Sequence, residues 1–372
     1  MNFFDFYEQQ TFKDLVNSED VYVDKTGLIC ELYRKHTKFE MLCRPFGFGK
    51  SVLVDTIANL FRHRYEDFFS NLNVAKSDVE IPKQNVMRLN FATNDLATSI
   101  ELQDYLYNYY RARAFENELA LDLDQNDSIY WQTVSYIKAL AAKSPTKKIV
   151  VLIDNYDNAI LKNLFTDTSK DYYRALLNFL SALYDNEDII DWCLILGETK
   201  FYLATEELGG IPYIKDLTFE GHSTHICGFT EGEMHTYYDN FIQDEADALG
   251  ESSEEFLSNL FDWYGNFRLT EQNIRVMRPK SICSFLNLRD QNQYRQFYEY
   301  NHVSSILMKL LNKYGRFHEK LLIPNSCGYN FTDFSYIDNV KPFALLFQMG
   351  FLSLHHIDIN VTDTLTTYNY YA

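Results

Sequence analysis

Residues 39–54, FEMLCRPFGFGKSVLV, constrain the fold more than any other stretch. An apolar run from Phe39 to Cys43 meets Arg44-Pro45-Phe46-Gly47-Phe48-Gly49-Lys50-Ser51. An apolar pattern follows, with Leu53, Ile57, Leu60 and Phe61 at helical spacing. Strand, glycine-containing turn and helix opening on Gly-Lys-Ser is the layout of a phosphate-binding loop. In such a loop backbone N–H groups and the helix N-terminus face the phosphates, Lys50 reaches the outer ones and Ser51 holds Mg²⁺. The G-x-x-x-x-G-K-[ST] pattern asks for a glycine where this chain has Arg44. Gly-Lys-[Ser/Thr] alone arises by chance in roughly one of several chains this long, so the remaining parts must come from elsewhere.

The second part is an acid at the end of a buried strand, to share the Mg²⁺ with Ser51. Residues 148–154, Lys-Ile-Val-Val-Leu-Ile-Asp, supply it in Asp154. A continuous β-branched run is how a strand covered on both faces of a parallel sheet reads. Further strands are expected at 86–91, 192–196 and 224–227, with helices over 51–64, 98–118, 127–143 and 170–185. Strands alternating with helices imply βα units and an α/β, doubly wound, mostly parallel sheet. After residue 230 the pattern turns helical and ends in two strand-like stretches, 351–357 and 364–371. This predicts a nucleotide-binding domain over 1–230 and a helical, winged-helix-like domain over 231–372.

Composition narrows the function. With 46% hydrophobic and 23% charged residues the chain is globular. Its net charge of −18 argues against nonspecific nucleic-acid binding. The six cysteines form no C-x-x-C pair, which suits reduced thiols. The N-terminus lacks the basic region of a signal peptide, and no apolar run approaches the ~20 residues of a membrane span. A cytoplasmic protein without a membrane partner is the expectation.

Several further segments, taken in order, resemble the bacterial AAA-ATPase-like family, whose members often carry a C-terminal PD-(D/E)xK-type nuclease domain. Tyr22-Val23-Asp24-Lys25-Thr26 matches its opening segment. Arg44, Pro45, Phe48, Gly49, Lys50 and Ser51 match its glycine-poor loop, and Ile153, Asp154, Tyr156 and Asp157 its acidic strand. Gly197, Thr199, Lys200 and Phe201 match a later segment, as do Gly228-Phe229-Thr230 with Glu233, residues 264–269, and Pro279 with Ser281. The resemblance implies a P-loop NTPase fold with ATP and Mg²⁺ as cofactors. It implies a nucleotide-binding set of Arg44, Pro45, Phe48, Gly49, Lys50 and Ser51, to which the loop's Gly47 and the following Val52 are added from position, with Ser51 and Asp154 as metal ligands. Asp154, Asp157 and Lys200, at matched positions, are catalytic candidates, and Glu198, where the family has valine, is a fourth. The absence of an Asn-Lys-x-Asp motif favours adenine over guanine.

The departures bear on activity. Phe46 and Gly47 stand where the family has arginines, and Asn155 where it has glutamate. An asparagine cannot accept a proton, and loss of a positioned base slows a reaction by roughly 10²–10⁴-fold. Glu198 either replaces that base or is a solvated loop carboxylate. Lys200 is either a γ-phosphate sensor or a surface lysine. Two function classes follow: a slow ATPase or nucleotide-dependent switch acting on a protein partner, and a degenerate scaffold serving as an interaction module. A third reading pairs Glu198-x-Lys200 with Asp185 or Asp188 as a metal-dependent nuclease. His222, His225 and Cys227 do not share one strand face and make no zinc site. Arg268, Arg275 and Arg278 are placed where a trans-acting finger would arise, with surface salt bridges as their plainer use. Relatives often assemble, so an oligomer is compatible with the resemblance.

Overall fold

The computed structural model describes residue 12 and residues 21–92, 96–265, 267–270, 272, 274–287, 294, 300–315, 325–327, 333–362 and 365–371. The first part alternates as expected: α1 (Thr26–Arg34), β1 (Phe39–Cys43), α2 (Lys50–Phe61), α3 (Glu66–Phe69), β2 (Asn85–Asn90), α4 (Ser99–Glu116), α5 (Ile129–Lys143), β3 (Ile149–Asp154), α6 (Asn158–Lys162), α7 (Asp167–Tyr184) and β4 (Ile190–Gly197). The two-residue strands β5 (Ala204–Thr205), β6 (Gly209–Gly210) and β7 (Lys215–Asp216) follow. Then come α8 (Glu231–Leu249), α9 (Ser253–Tyr264), α10 (Pro279–Asn287), α11 (Tyr300–Tyr314), β8 (Asn325–Cys327), α12 (Pro342–Gln348), β9 (Ser353–Thr362) and β10 (Leu365–Tyr371).

The main sheet has the order β2-β3-β4-β1-β7, and each of its neighbouring pairs is parallel. Parallel pairing brings the C-terminal ends of β1, β3 and β4 to one edge. β3 is buried along its whole length. Ile149, Val151 and Ile153 enter the core beneath α4, α5 and α7, whereas Val150 and Leu152 enter the core beneath α1 and α2. This is the period of two expected of a strand, and each such side chain contributes about 1.5–3 kcal/mol on burial. Polar substitution on either face would therefore be costly, which is why the run is continuously apolar.

The fifth strand is not where the sequence suggested. Residues 224–227 form turns, and β7 takes the edge position, pairing with Glu40 and Met41 of β1. The cause is local hydroxyl chemistry. Ser223 Oγ donates to Glu220 O at 2.9 Å, and Thr224 Oγ1 donates to Gly221 O at 2.7 Å. Such short-range bonds favour a turn over a ladder.

Beyond residue 230 the chain behaves in two ways. Helices α8, α9 and α10 build a separate core around Met234, Phe241, Leu257, Leu260 and Ile282. Helices α11 and α12 instead return to the sheet, where Ile306, Leu310, Leu345 and Phe347 join its core. Helix α8 opens on a capping box in which Thr230 accepts from the Glu233 backbone and Glu233 from that of Thr230. Glu233 also pairs with Lys25, so two family-like segments meet in space. The final strands form an antiparallel sheet of order β8-β10-β9. No helix among the described residues is long and apolar enough to cross a membrane.

Candidate functional site

The loop between β1 and α2 turns on two left-handed residues, Gly47 at φ +80° and Gly49 at φ +88°. Only glycine adopts such angles without strain. Lys50 Nζ lies back on the loop and donates to the carbonyls of Arg44 at 2.7 Å and Pro45 at 3.1 Å. Ser51 Oγ donates to Asp154 Oδ2 at 2.6 Å. The expected partnership across 103 residues is thus built by the adjacent ends of β3 and α2. Burial pushes the Asp154 carboxyl up, against the downward pull of Ser51, Lys50 and Arg88. Its second oxygen, Oδ1, is buried and accepts no hydrogen bond among the described residues. A buried acceptor without a donor is costly in isolation. Together with the exposed Ser51 hydroxyl it has the oxygen chemistry of a Mg²⁺ site.

The other expected nucleotide-binding side chains divide. Arg44 is corrected from a phosphate contact to a structural one. It is 1% exposed, and its guanidinium donates to Cys43 O, Thr218 O and Ser223 O at 2.7–2.8 Å. Phe48, equally buried, packs edge-on against Phe267 with ring centroids 5.0 Å apart, and its carbonyl accepts from Gly228 N at 3.1 Å. Pro45 lies against Gly350, where an added Cβ would come within 2.9 Å of the proline ring. Val52 is half-buried near Tyr22, Phe229 and Cys283. These four side chains hold the loop in place.

At the tips of β3 and β4 the arrangement is a latch. Asp157 Oδ2 accepts from Glu198 N at 3.0 Å, from Thr199 N at 2.7 Å and from Thr199 Oγ1 at 2.7 Å. Burial first, and then the neighbouring Glu198 charge, raise the Asp157 carboxyl to about 6. Tyr156 adds a bond from its hydroxyl to Thr199 O at 2.7 Å. Gly197 is required by closeness, since an added Cβ would stand 2.5 Å from the Tyr156 ring. Asp157 thus fixes the backbone at Glu198 and Thr199. Asn155 sits at φ +57°, where asparagine is tolerated better than glutamate, and its amide donates to Asn90 Oδ1 at 2.9 Å.

Glu198 is 8% exposed, which overturns its reading as a solvated loop carboxylate. Lys200 is 2% exposed, which overturns its reading as a surface lysine. Its ammonium pairs with Asp216 at 2.6 Å and lies over the rings of Phe219 and Phe334. The nuclease arrangement is not built. Asp188 lies before β4 and Glu198 after its eight residues, roughly 25 Å away at strand rise. Asp185 instead accepts from Tyr130 OH at 2.9 Å. No cluster of three or more metal-ligating side chains occurs among the described residues.

Two of the three arginines stack on aromatic rings. Arg275 lies over Phe261, and Arg278 over Phe267. Arg278 touches the loop of its own chain, its Cδ being 3.3 Å from where a Cβ on Gly47 would stand. Sequence reasoning missed Lys280, whose N–H donates to Gly47 O at 3.1 Å. It also missed Gln348, which accepts from Lys200 N at 2.8 Å. Neither carries a local signal, because both contacts span more than a hundred residues.

Comparison with known proteins agrees with this geometry. A protein of Azotobacter chroococcum mcd 1, described as "Uncharacterized protein in vnfD 5'region", is 23% identical over 350 residues. The alignment covers 94% of this chain but 63% of that relative, so the chain spans less than two thirds of its length. No solved structure matches. The predicted AAA-ATPase family matches residues 7–205, more than half of the chain. With its loop, its acidic strand end and four of the five strands of its parallel sheet in that span, the chain belongs to the predicted AAA-ATPase family.

Proposed function

We propose that the chain binds Mg-ATP at the 44–51 loop and works as a slow ATPase or nucleotide-dependent switch acting on a protein partner in the cytoplasm. The observation that carries this reading is the Ser51–Asp154 bond of 2.6 Å beside the unpartnered Asp154 Oδ1. Ser51 Oγ and Asp154 would hold the Mg²⁺, which when bound neutralises phosphate charge. Lys50 would exchange the Arg44 and Pro45 carbonyls for phosphate oxygens, a charge-assisted and stronger pairing. Asp157 sets the backbone of Glu198 and Thr199. Asn155 at the usual base position makes hydrolysis slow, and Glu198 is the carboxylate that takes the base role. Lys200 senses the phosphates only by leaving Asp216. The C-terminal region, with its winged-helix-like end, passes the nucleotide state to the partner.

A second reading, a nucleotide-free interaction scaffold, is favoured by one observation: the Asn155 amide is engaged with Asn90 rather than available to orient a water. A thermal-shift experiment separates the two. Binding only to the folded state raises the melting temperature, so Mg-ATP should stabilise the wild-type protein but not Lys50→Ala. No shift with wild type leaves the scaffold. A shift without phosphate release identifies the switch, and turnover identifies the enzyme.

A further inference from the structure

We infer that the outward face of α4 is an isologous interface, through which two copies of the chain pair antiparallel about a two-fold axis. On this helix, Ser99–Glu116, the side chains of Leu102, Leu106, Tyr110 and Ala114 are buried. Ile100, Asp104, Asn108, Arg111 and Phe115 are all exposed, and at helical spacing they fall within an arc of about 80° on the opposite side. The two ends of this stripe are apolar. Ile100 is 70% exposed and Phe115 89%, and helical rise sets them about 22 Å apart, too far to cover one another.

The order of residues along the stripe fits a second copy of the same helix. An axis crossing α4 between Tyr107 and Asn108 gives every member of the stripe a counterpart at equal distance on the other side. Ile100 then faces Phe115 of the second copy, and Asp104 faces Arg111 of the second copy. The symmetry makes each contact twice. Within one copy Asp104 and Arg111 stand about 10 Å apart along the helix, and neither makes an ion pair among the described residues. The Arg111 guanidinium lies 5.6 Å from the ring centroid of Tyr107, which keeps it on this face beside the axis. Charge selects both the place and the direction of pairing. At a net charge of −18 two copies repel wherever acidic surfaces meet. The stripe carries one acid and one base, so it is locally neutral. Antiparallel pairing sets opposite charges together, whereas parallel pairing in register would set Asp104 beside Asp104 and Arg111 beside Arg111. One helix face makes a small interface, below about 1,200 Å² in total, so the dimer forms in the micromolar range. The pairing needs no nucleotide and stands apart from the Mg-ATP reading.

The test is sedimentation velocity of the full chain over a range of concentrations. Wild-type protein should pass from monomer to dimer between about 1 and 100 μM. Asp104→Arg sets arginine against Arg111, and Arg111→Asp sets aspartate against Asp104, and each should weaken the dimer roughly 10-fold or more. The double variant Asp104→Arg/Arg111→Asp should restore it. An equimolar mixture of the two single variants should restore it as well, as a heterodimer. Phe115→Ser should weaken the dimer too, without restoration by either charge exchange. All of these side chains are exposed, so the melting temperature of the monomer should stay within a few degrees of wild type. Wild-type protein that remains a monomer at 100 μM overturns the inference and leaves this face to a different partner. A dimer that survives both single charge variants and Phe115→Ser is built elsewhere on the molecule and overturns it equally, as does a mixture that fails to form the heterodimer.

Discussion

Two glycine-dependent turns lie side by side at the C-terminal edge of the sheet, and they treat their donors in opposite ways. At the β4 exit, Glu198 N, Thr199 N and Thr199 Oγ1 go to Asp157, Lys200 N goes to Gln348, Phe201 N goes to Tyr156, and the Lys200 ammonium goes to Asp216. At the phosphate loop, Lys50 leans on carbonyls of the loop itself, and Ser51 on a carboxylate with an oxygen to spare. The first turn is closed because two carboxylates, a tyrosine hydroxyl and a side-chain amide satisfy it. The second is open because a phosphate oxygen is a better acceptor than a neutral carbonyl. A ligand site is thus marked less by which donors are present than by how replaceable their partners are.

The largest effect that would break this contrast is Asp157→Ala. It strands two buried backbone N–H groups and a hydroxyl, each worth about 1–3 kcal/mol when left unmet, so urea unfolding should show a loss of about 3–5 kcal/mol. The same residue predicts a pH dependence. Its carboxyl is raised to about 6 in the folded state, above the ~4 of an unfolded chain, so the folded protein binds that proton more tightly. Its contribution is therefore fully present below about pH 4 and is lost as pH rises toward 6. Asp157→Asn should flatten this part of the stability–pH curve.

Lys50→Ala comes next and acts on the open turn. It should weaken Mg-ATP by roughly 100-fold, about 3 kcal/mol, without lowering the melting temperature of the unliganded protein by more than a few degrees. Gly197→Ala should cost about 2 kcal/mol by overpacking against Tyr156, a loss read by unfolding and not by nucleotide affinity. The smallest effect on binding is expected of Glu198→Gln, with Mg-ATP affinity within about 3-fold of wild type. Its phosphate release should fall, and unchanged release would dispose of Glu198 as the base.

Much of the frame was legible. β1 emerges with the predicted bounds, and β3 within a residue of them, because a strand covered on both faces must be continuously apolar. Asp154 was legible as the residue that ends such a run. The edge strand was not, since Lys215-Asp216 has no apolar pattern and exists only by pairing with β1. Nor was the direction of Arg44. A long cationic side chain beside a phosphate loop reads as a ligand contact until the carbonyls of Cys43, Thr218 and Ser223 are seen to take it.

By itself the sequence determined the α/β frame, the place of the phosphate loop and the pairing of Ser51 with an acid a hundred residues on. Those features rest on local patterns, in which apolar period and glycine placement act within one element. The tertiary structure decided which charges remain at that loop. It turned Arg44 away, buried Glu198, tied Lys200 to Asp216 and laid Arg278 and Lys280 against Gly47. The reason is that the direction of a long charged side chain depends on partners far along the chain. Burial and hydrogen bonding at the point of contact choose among directions that the local sequence leaves equal.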